Sequence, residues 1–250
     1  MHHPYTTDPH PLVRKLESIV DLTSGEKDAL RALPLMLRDL HAGQDIAREG
    51  DHPSQSCLIV EGLAFRYKMA GDDRRQIFSF HTPGDIPDLL TLHIKTMDHS
   101  LAALTDCRLG FIQHRTLYDL HDRFPRLAGV FWRETLVDAA IFREWMVGMG
   151  RRKAPTRIAH LLCEMYAKLE SIGLADGNSV PLRLTQETIG DALGLSAVHV
   201  NRALMVLRSN GLFAFDGRTL TIHDWDGLTR AAEFDPAYLH LEPNATAPAA

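Results

Sequence analysis

The sequence has few cysteines: Cys57, Cys107 and Cys163 are the only three in 250 residues, and they are far apart. Iron–sulfur clusters and structural zinc sites are held by clustered cysteines, so this spacing argues against both. Each cysteine lies in an apolar stretch, as in CLIV and HLLCEM, which predicts buried, reduced thiols. We therefore predict no metal site and no iron–sulfur cofactor.

The sequence also lacks long apolar runs. No stretch approaches the roughly 20 apolar residues of a membrane-spanning helix, and the first residues, MHHPYTTDPH, are too polar for a secretion signal. We expect a cytoplasmic protein with no membrane partner. The net charge is −5, but residues 151–230 carry ten basic against eight acidic side chains. This local excess permits nucleic-acid binding without establishing it.

The first half of the sequence has the rhythm of short strands. After a polar arm and a short helix in residues 1–25, apolar pieces alternate with glycine-containing turns at intervals of roughly ten residues. Aromatic and β-branched residues such as Phe65, Tyr67 and Ile77 favour strands. We predict an antiparallel β-roll over residues 26–122, preceded by a helix that begins near Ser24.

The period then changes to that of a helix over residues 123–150. Its length exceeds what a helix packed inside one small domain needs, although an ordinary core helix remains the alternative. We predict a helix shared between two copies of the chain, with its dimer interface formed by an apolar stripe of Leu127, Val130, Phe131, Val137 and Ile141.

Residues 151–226 predict a winged helix-turn-helix. Two short helices flank Gly194, which can supply the positive φ angle of a tight turn, and a hairpin follows around Asp216-Gly217. Residues 227–250 are predicted to be a partly disordered tail. Together these elements predict an α+β fold, with a jelly-roll-like N-terminal β-roll, a long helix and a C-terminal DNA-binding domain.

The second of the two helices offers side chains suited to a DNA groove. Arg202 can form two hydrogen bonds with guanine, and Asn201 can bind adenine or a phosphate. Thr185, at a helix start, and Arg218, at the wing turn, can each hold a phosphate. The predicted DNA-binding residues are Thr185, Gln186, Ser196, Ala197, Val198, His199, Asn201, Arg202 and Arg218.

Several stretches resemble the Crp/Fnr family of bacterial transcription regulators over roughly residues 25–225. In the first half these are GQDIAREGDHPSQSCLIVEGLAFRY, GDDRRQIFSFHTPGD and SLAALTDCRLGFI; in the second they are APTRIAHLLCEM and LTQETIGDALGLSAVHVNRALMVLRSNGLF. The resemblance implies a cyclic-nucleotide-binding-like sensor roll, a dimerisation helix and a winged helix-turn-helix. It also implies double-stranded DNA, a second copy of the chain and RNA polymerase as partners.

The sequence departs from this family at the effector position. Members that bind cyclic AMP carry a glutamate after the Gly-Asp turn and an Arg-Ser pair before the next strand. Here Asp88 is the candidate for the acidic residue, and His99 precedes Ser100. A neutral histidine is a poor substitute for a guanidinium facing a phosphate. We expect an effector pocket at Asp88, His99 and Ser100, whose effector is unknown and is neither cyclic AMP nor haem.

The recognition helix departs as well, because Val198 stands where a common family pattern has glutamate. Valine can contact a thymine methyl but cannot accept a hydrogen bond from cytosine, so a different half-site is expected. Two alternatives stay open: a regulator without any effector, and a cupin-like metal-dependent enzyme. The enzyme lacks its His-x-His motif here, since SFHTPGD and TLHIKTMDHS have the wrong spacing.

Overall fold

A computed structural model describes residues 10–71 and 74–241. Most of the predicted polar arm and the end of the predicted tail lie outside the described residues. The chain begins with helices α1 (Pro11–Glu17) and α2 (Ser24–Arg31). Thr23, not Ser24, caps α2: its hydroxyl accepts from the Glu26 amide, and the Glu26 carboxylate accepts from the Thr23 amide.

Two antiparallel sheets form the predicted β-roll. One has the strand order β1-β7-β3 and the other β2-β6-β4-β5. The strands are β1 (Met36–Leu40), β2 (Asp45–Ala47), β3 (Gln55–Glu61), β4 (Ala64–Ala70), β5 (Arg74–His81), β6 (Ser100–Ala103) and β7 (Cys107–Gln113). A short 3-10 turn, Leu89–Leu92, follows the loop after β5.

The second sheet is covered on both faces. Ala64 and Leu101 face the roll interior, whereas Phe65 and Phe80 pack with residues of the C-terminal half. Three consecutive residues of β4, Ala64–Arg66, are buried, because this end of the strand is covered on both sides. The register between β4 and β5 shifts just after Arg66.

Two consecutive helices connect the halves. Helix α3 (His114–Arg123), which the sequence did not separate from the roll, is followed by Phe124 as its C-terminal capping residue. Pro125 then starts α4 (Pro125–Arg151), because proline is tolerated in a first helical turn and disfavours helix in the residue before it. The predicted long helix is therefore present and covers 27 residues.

The C-terminal half contains the predicted winged helix-turn-helix and continues beyond it. Its elements are α5 (Ala154–Ser171), β8 (Ser179–Pro181), α6 (Gln186–Leu193), α7 (Ala197–Ser209), β9 (Phe213–Phe215), β10 (Thr219–Ile222) and α8 (Trp225–Ala232). A 3-10 turn, Pro236–Leu239, packs against α4. The first part of the predicted tail is therefore ordered, since Leu228, Ala232 and Leu239 are buried in the core.

Polar contacts join the two halves where α6 lies on β5. The Arg75 guanidinium is 2.8 Å from the Asp191 carboxylate, and the Gln76 side chain donates to the Ala192 carbonyl at 3.1 Å. The Lys168 ammonium, from α5, donates to the carbonyl of Phe80 at 2.6 Å. These contacts place the helix-turn-helix directly against the roll, in the predicted α+β fold.

Candidate DNA-binding surface and roll interior

The turn between α6 and α7 depends on two glycines. Gly194 adopts φ 62° and ψ 39°, the left-handed conformation for which glycine was predicted. Gly190 allows the two helices to approach closely, because a Cβ there would lie 2.6 Å from the Leu195 carbonyl oxygen. Leu195 in turn donates its amide to the Gly190 carbonyl at 3.0 Å, which fixes the direction of α7.

Helix α7 has one buried and one exposed face. Val200, Leu204 and Leu207, which follow one another at spacings of four and three, are buried. On the opposite face Val198 and Met205 are 58% and 64% exposed. The structure places every predicted DNA-binding residue on the surface: Thr185, Gln186, Ser196, Ala197, Val198, His199, Asn201, Arg202 and Arg218.

Thr185 and Ser196 hold the starts of the two helices. The Thr185 hydroxyl accepts from the Thr188 amide at 3.0 Å, and the Ser196 hydroxyl accepts from the His199 amide at 3.4 Å. The Ser196 hydroxyl also lies 2.9 Å from Nδ1 of His199. The other amides of each first turn have no partner within their own helix and carry a partial positive charge, which suits a phosphate.

The wing is more firmly held than a two-stranded hairpin. Strand β8 pairs with β10 and makes a three-stranded sheet with the hairpin. The Asp216 carboxylate accepts from the amides of Arg218 and Thr219, both at 2.8 Å, and so shapes the wing turn. Arg208 donates to the Phe215 carbonyl at 2.8 Å. Arg208 therefore ties α7 to the wing.

The residues predicted for the dimer interface lie on the inner side of α4. Leu127, Val130, Phe131 and Ile141 are buried within the chain itself, and Val137 packs against the same core. They contact the roll, the N-terminal helices or α5. A partner could not reach them without opening that core.

A different face of α4 is open. Trp132, Leu136 and Met146 are 69%, 55% and 68% exposed. They belong to a series that alternates steps of three and four residues, the spacing of a coiled-coil seam. The series is Gly129, Trp132, Leu136, Ala139, Arg143, Met146 and Gly150.

The predicted effector pocket is not assembled from its three residues. The buried Asp88 carboxylate accepts from the Cys57 amide at 2.8 Å, and burial raises the pKa of Asp88 to about 7. Nδ1 of His99 lies 2.5 Å from the Asp98 carboxylate, whereas the Ser100 hydroxyl accepts from the Glu49 amide at 3.1 Å. Each side chain is thus bound to a different neighbour. A cavity lies beside α4, and none of these three residues lines it.

Beside that cavity lies a network of buried charges that the sequence did not reveal. The Arg66 guanidinium is 2.9 Å from the Asp138 carboxylate and donates through Nε to the Pro87 carbonyl at 3.0 Å. The Lys15 ammonium is 3.1 Å from the Asp85 carboxylate. Although burial favours the neutral acid, Lys15 holds the pKa of Asp85 well below its usual range. These pairs join α1, β4, the loop after β5 and α4.

The cysteines have the burial predicted for them. Cys57, Cys107 and Cys163 are free thiols in the core, and burial raises the pKa of Cys163 to about 12. Among the residues that the structure describes, no group of three or more His, Cys, Asp or Glu side chains is placed to hold a metal. Within the same ranges, the helices are all too short or too polar to cross a membrane.

Two family models match the chain. A Crp-like helix-turn-helix domain covers residues 156–231, and a cyclic nucleotide-binding domain covers residues 37–124. The transcriptional activator protein FnrL of Cereibacter sphaeroides is 27% identical over 184 residues, 72% of this chain and 73% of FnrL. The nitrogen fixation regulation protein FixK of Bradyrhizobium diazoefficiens is 29% identical over 196 residues, 74% of this chain and 78% of FixK.

The fold of the chain is also similar to that of a solved regulator structure. The solved structure of FixK2 from Bradyrhizobium japonicum superposes with a TM-score of 0.71 and 26% identity, covering 79% of this chain and 96% of that one. A winged helix-turn-helix joined to a cyclic-nucleotide-binding-like roll defines a transcription regulator with a DNA-binding domain. The chain belongs to the Crp/Fnr family, as the sequence resemblance indicated. The matches are regulators and give no support to a cupin-like enzyme.

Proposed function

We propose that the chain regulates transcription as a homodimer on an inverted-repeat DNA site. The observation that carries this proposal is the outer face of α7, where Val198, Arg202 and Met205 follow one another at spacings of four and three and are all exposed. Such a face, at the second helix of a helix-turn-helix, enters the major groove. In this proposal the sensor domain is residues 26–122, the dimerisation helix is residues 123–150 and the DNA-binding domain is residues 151–226.

The side chains of this face divide into readers of bases and holders of phosphates. Arg202 binds guanine with two hydrogen bonds, and Val198 contacts a thymine methyl. Asn201 lies beside Arg202 and binds adenine or the backbone. Thr185, Gln186 and Ser196, at the two helix starts, and Arg218, on the wing, hold phosphates and set the register of the protein on the duplex.

The heptad face of α4 supports the dimer. Trp132, Leu136 and Met146 present large apolar side chains to solvent along one line, which a second copy of the same helix would cover in a two-fold coiled coil. Arg143 lies within this line and would favour one register over others. The two recognition helices would then meet DNA half-sites whose centres lie about 34 Å apart, one turn of the duplex.

A selection from randomised duplex DNA tests the target. We expect an inverted repeat with guanine at one position of each half-site and thymine nearby. A Val198→Glu variant should exchange the thymine preference for one that includes cytosine, because glutamate accepts a hydrogen bond from the cytosine amino group. Recovery of single, unrepeated sites by the wild type would contradict the dimeric mode of binding.

Light scattering tests the proposed dimer contact along the heptad face of α4. Leu136→Glu should convert a dimer into a monomer at micromolar concentration, because two like charges would face each other in an apolar contact. Ile94→Glu is the matched control, since Ile94 is 58% exposed and lies outside α4. A wild type that is already monomeric would refute the dimer.

The remaining partners follow from this mode of action. A regulator of this kind acts in the cytoplasm, where bacterial DNA lies, and contacts RNA polymerase when it activates. We propose that neither haem nor an iron–sulfur cluster takes part and that cyclic AMP does not tighten DNA binding. Transcription in vitro with purified polymerase, with and without the protein, distinguishes activation from repression.

A further inference from the structure

The C-terminal half continues beyond the residues that make up its family domain. The matched helix-turn-helix domain ends at residue 231, and α8 ends at Ala232. Residues 233–241, which we call the C-terminal strap, follow α8 and run to α4, against which the 3-10 turn Pro236–Leu239 packs. The strap is therefore an addition to the DNA-binding domain that reaches the proposed dimerisation helix.

The backbone gives the strap a defined path. Among the residues that the structure describes, Glu233 and His240 are the only ones other than glycine with a positive φ, at 49° and 50°. Such a conformation is uncommon for a residue with a side chain and persists where surrounding contacts hold it. At Glu233 it closes the end of α8, because the Phe234 amide donates to the Thr229 carbonyl at 3.0 Å.

The middle of the strap is bonded at a buried junction between α4 and α5. Glu164, on α5, is fully buried, and its carboxylate accepts from the Tyr238 hydroxyl at 2.7 Å. The same carboxylate oxygen accepts from the indole N–H of Trp145, on α4, at 2.9 Å. The Tyr238 ring also stacks on His160, whose Nε2 lies 3.1 Å from the hydroxyl. One carboxylate thus joins the strap, the DNA-binding domain and α4.

Two arginines of α4 and its cap hold the ends of the strap. Arg133 donates to the His240 carbonyl at 3.1 Å. The guanidinium of Arg152, the C-terminal capping residue of α4, lies 2.6 Å from the Glu144 carboxylate and 3.4 Å from the Glu233 carboxylate. The strap is therefore fastened along α4 at both ends as well as in the middle.

The strap lies beside a break between two helices. Arg152 and Lys153, which connect α4 to α5, are both extended, with ψ 147° and 159°. Lys153 forms no side-chain cap on α5, so the connection has little local support of its own. The angle between α4 and α5 consequently depends on contacts made by the elements on either side.

Some of these contacts hold the C-terminal half against the roll. The Arg75 and Asp191 side chains keep 32% and 23% of their surface accessible, so their ion pair is only partly buried. The Lys168 ammonium donates to the Phe80 carbonyl at 2.6 Å and interacts electrostatically with Asp138, on α4. Because these contacts do not involve the strap, loss of the strap should loosen the DNA-binding domain without detaching it.

We propose that the strap fixes the angle between the DNA-binding domain and α4, with Tyr238 as a positioning residue, and so sets the half-site spacing that the dimer accepts. This rests on the proposed binding of a dimer to an inverted repeat. In a dimer joined along α4, that angle determines the separation of the two recognition helices. A loosened strap should let the separation vary while each recognition helix stays unchanged.

Hydrogen exchange on the full-length protein tests the strap without DNA. Tyr238→Phe keeps the ring and removes the hydroxyl. The amides of Arg152 and Arg157 donate within the end of α4 and the start of α5. We expect their exchange to become about tenfold faster or more, because a hydrogen bond to a charged group is worth a factor of that size. Faster exchange confined to residues 234–241 would overturn the proposal.

Two further variants locate the effect. Tyr166→Phe is the matched control, since it removes a hydroxyl from the same domain that donates to the Gly177 carbonyl at 3.5 Å. It should leave exchange at the connection of α4 and α5 unchanged. Arg133→Gln releases the end of the strap at His240 and should act like Tyr238→Phe, which keeps the test decisive should Tyr238→Phe fail to fold. Unchanged exchange in Arg133→Gln would then refute the strap.

Binding to a series of inverted repeats, with half-sites moved apart one base pair at a time, tests the spacing. The wild type should prefer one spacing, and Tyr238→Phe should lose most of this preference. Its affinity for an isolated half-site should match that of the wild type, because the recognition helix is unaltered. An unchanged spacing preference would overturn the positioning role. If the wild type binds no inverted repeat, the proposed function fails, and the exchange measurement still decides whether the strap holds the domain.

Discussion

The two halves of the molecule use their charged side chains in opposite ways. In the winged helix-turn-helix, Arg202 and Arg218 lie in solvent on an outer face. In the roll, Arg66 and Lys15 are 4% and 8% exposed, and each is paired with a carboxylate. An exposed arginine costs the fold little and is available to a phosphate or a base, whereas a buried one is needed by the partners that it neutralises.

Mutations in the two halves should therefore damage different properties of the protein. Changes at the outer face should alter DNA binding and leave the free energy of unfolding nearly constant. Changes in the buried network should lower that free energy first, and affect DNA binding only through loss of folded protein. Each of the following predictions tests one side of this difference.

The largest effect is expected at Arg66. Arg66→Met should lower the free energy of unfolding by about 3–5 kcal/mol, because the buried guanidinium is lost and both the half-buried Asp138 carboxylate and the Pro87 carbonyl are left without their partner. Urea unfolding followed by circular dichroism measures this. Arg48→Met is the matched control: Arg48 also pairs with an aspartate, Asp45 at 2.8 Å, but it is exposed, and its removal should change stability little.

A double variant sharpens that test. Arg66→Met combined with Asp138→Leu removes both charges and should recover much of the lost stability, since replacing a whole buried pair by apolar residues is often neutral or better. A double variant as unstable as Arg66→Met alone would show that the arginine acts through its bonds to the Pro87 carbonyl rather than through Asp138.

The next effect concerns Arg202. Arg202→Ala should cost about 1–3 kcal/mol of DNA-binding free energy per half-site and relax the preference at one base pair in each half. Its urea unfolding curve should match that of the wild type, because the side chain is exposed. Arg202→Lys should restore charge but only part of the base preference, since lysine lacks the planar fork. Fluorescence anisotropy on sites that differ at one base pair measures both.

The DNA-binding face could be predicted from the sequence because its signals are local. Gly194 marks the turn, Ser196 the start of α7, and Val200, Leu204 and Leu207 its buried side, all within a short stretch of chain. Once the buried side is known, helical geometry assigns the exposed side. The sequence did not reveal that Gly190 allows the close helix contact, because that contact depends on where the fold places the Leu195 carbonyl.

The roll interior could not be predicted because its partners are distant in sequence. Lys15, Arg66, Asp85 and Asp138 come from four separate elements, and no spacing relates them. The sequence could not identify the exposed face of α4 for another reason. Helix α4 has two apolar stripes, and periodicity alone does not tell which one packs inside the chain. Leu127 and Ile141 belong to the inner stripe, Trp132 and Leu136 to the outer one.

A pH effect is expected from Asp88, whose pKa burial raises to about 7. Between about pH 4 and pH 7 the unfolded chain loses the Asp88 proton while the folded chain keeps it, so stability falls as pH rises through this window. Asp88→Asn should abolish this fall and gain on the order of 2 kcal/mol relative to wild type between about pH 5 and pH 8. Urea unfolding at both pH values measures it; parallel curves for the two proteins would contradict it.

The smallest effect is expected at Arg218, and it distinguishes two kinds of exposed arginine. Asp216 fixes the wing turn through the amides of Arg218 and Thr219, so Arg218→Ala should keep the turn and remove only the side chain. A phosphate contact carries no base information; binding should therefore weaken by a similar factor on every sequence. The salt dependence should also fall by about one unit for each wing, because one counterion fewer is released per lost contact. Anisotropy titrations over a range of salt concentrations measure this slope for Arg218→Ala and Arg202→Ala together. If both variants lose affinity uniformly across sequences, α7 does not read bases. If Arg218→Ala alone changes the sequence preference, the wing rather than α7 lies on the base edges.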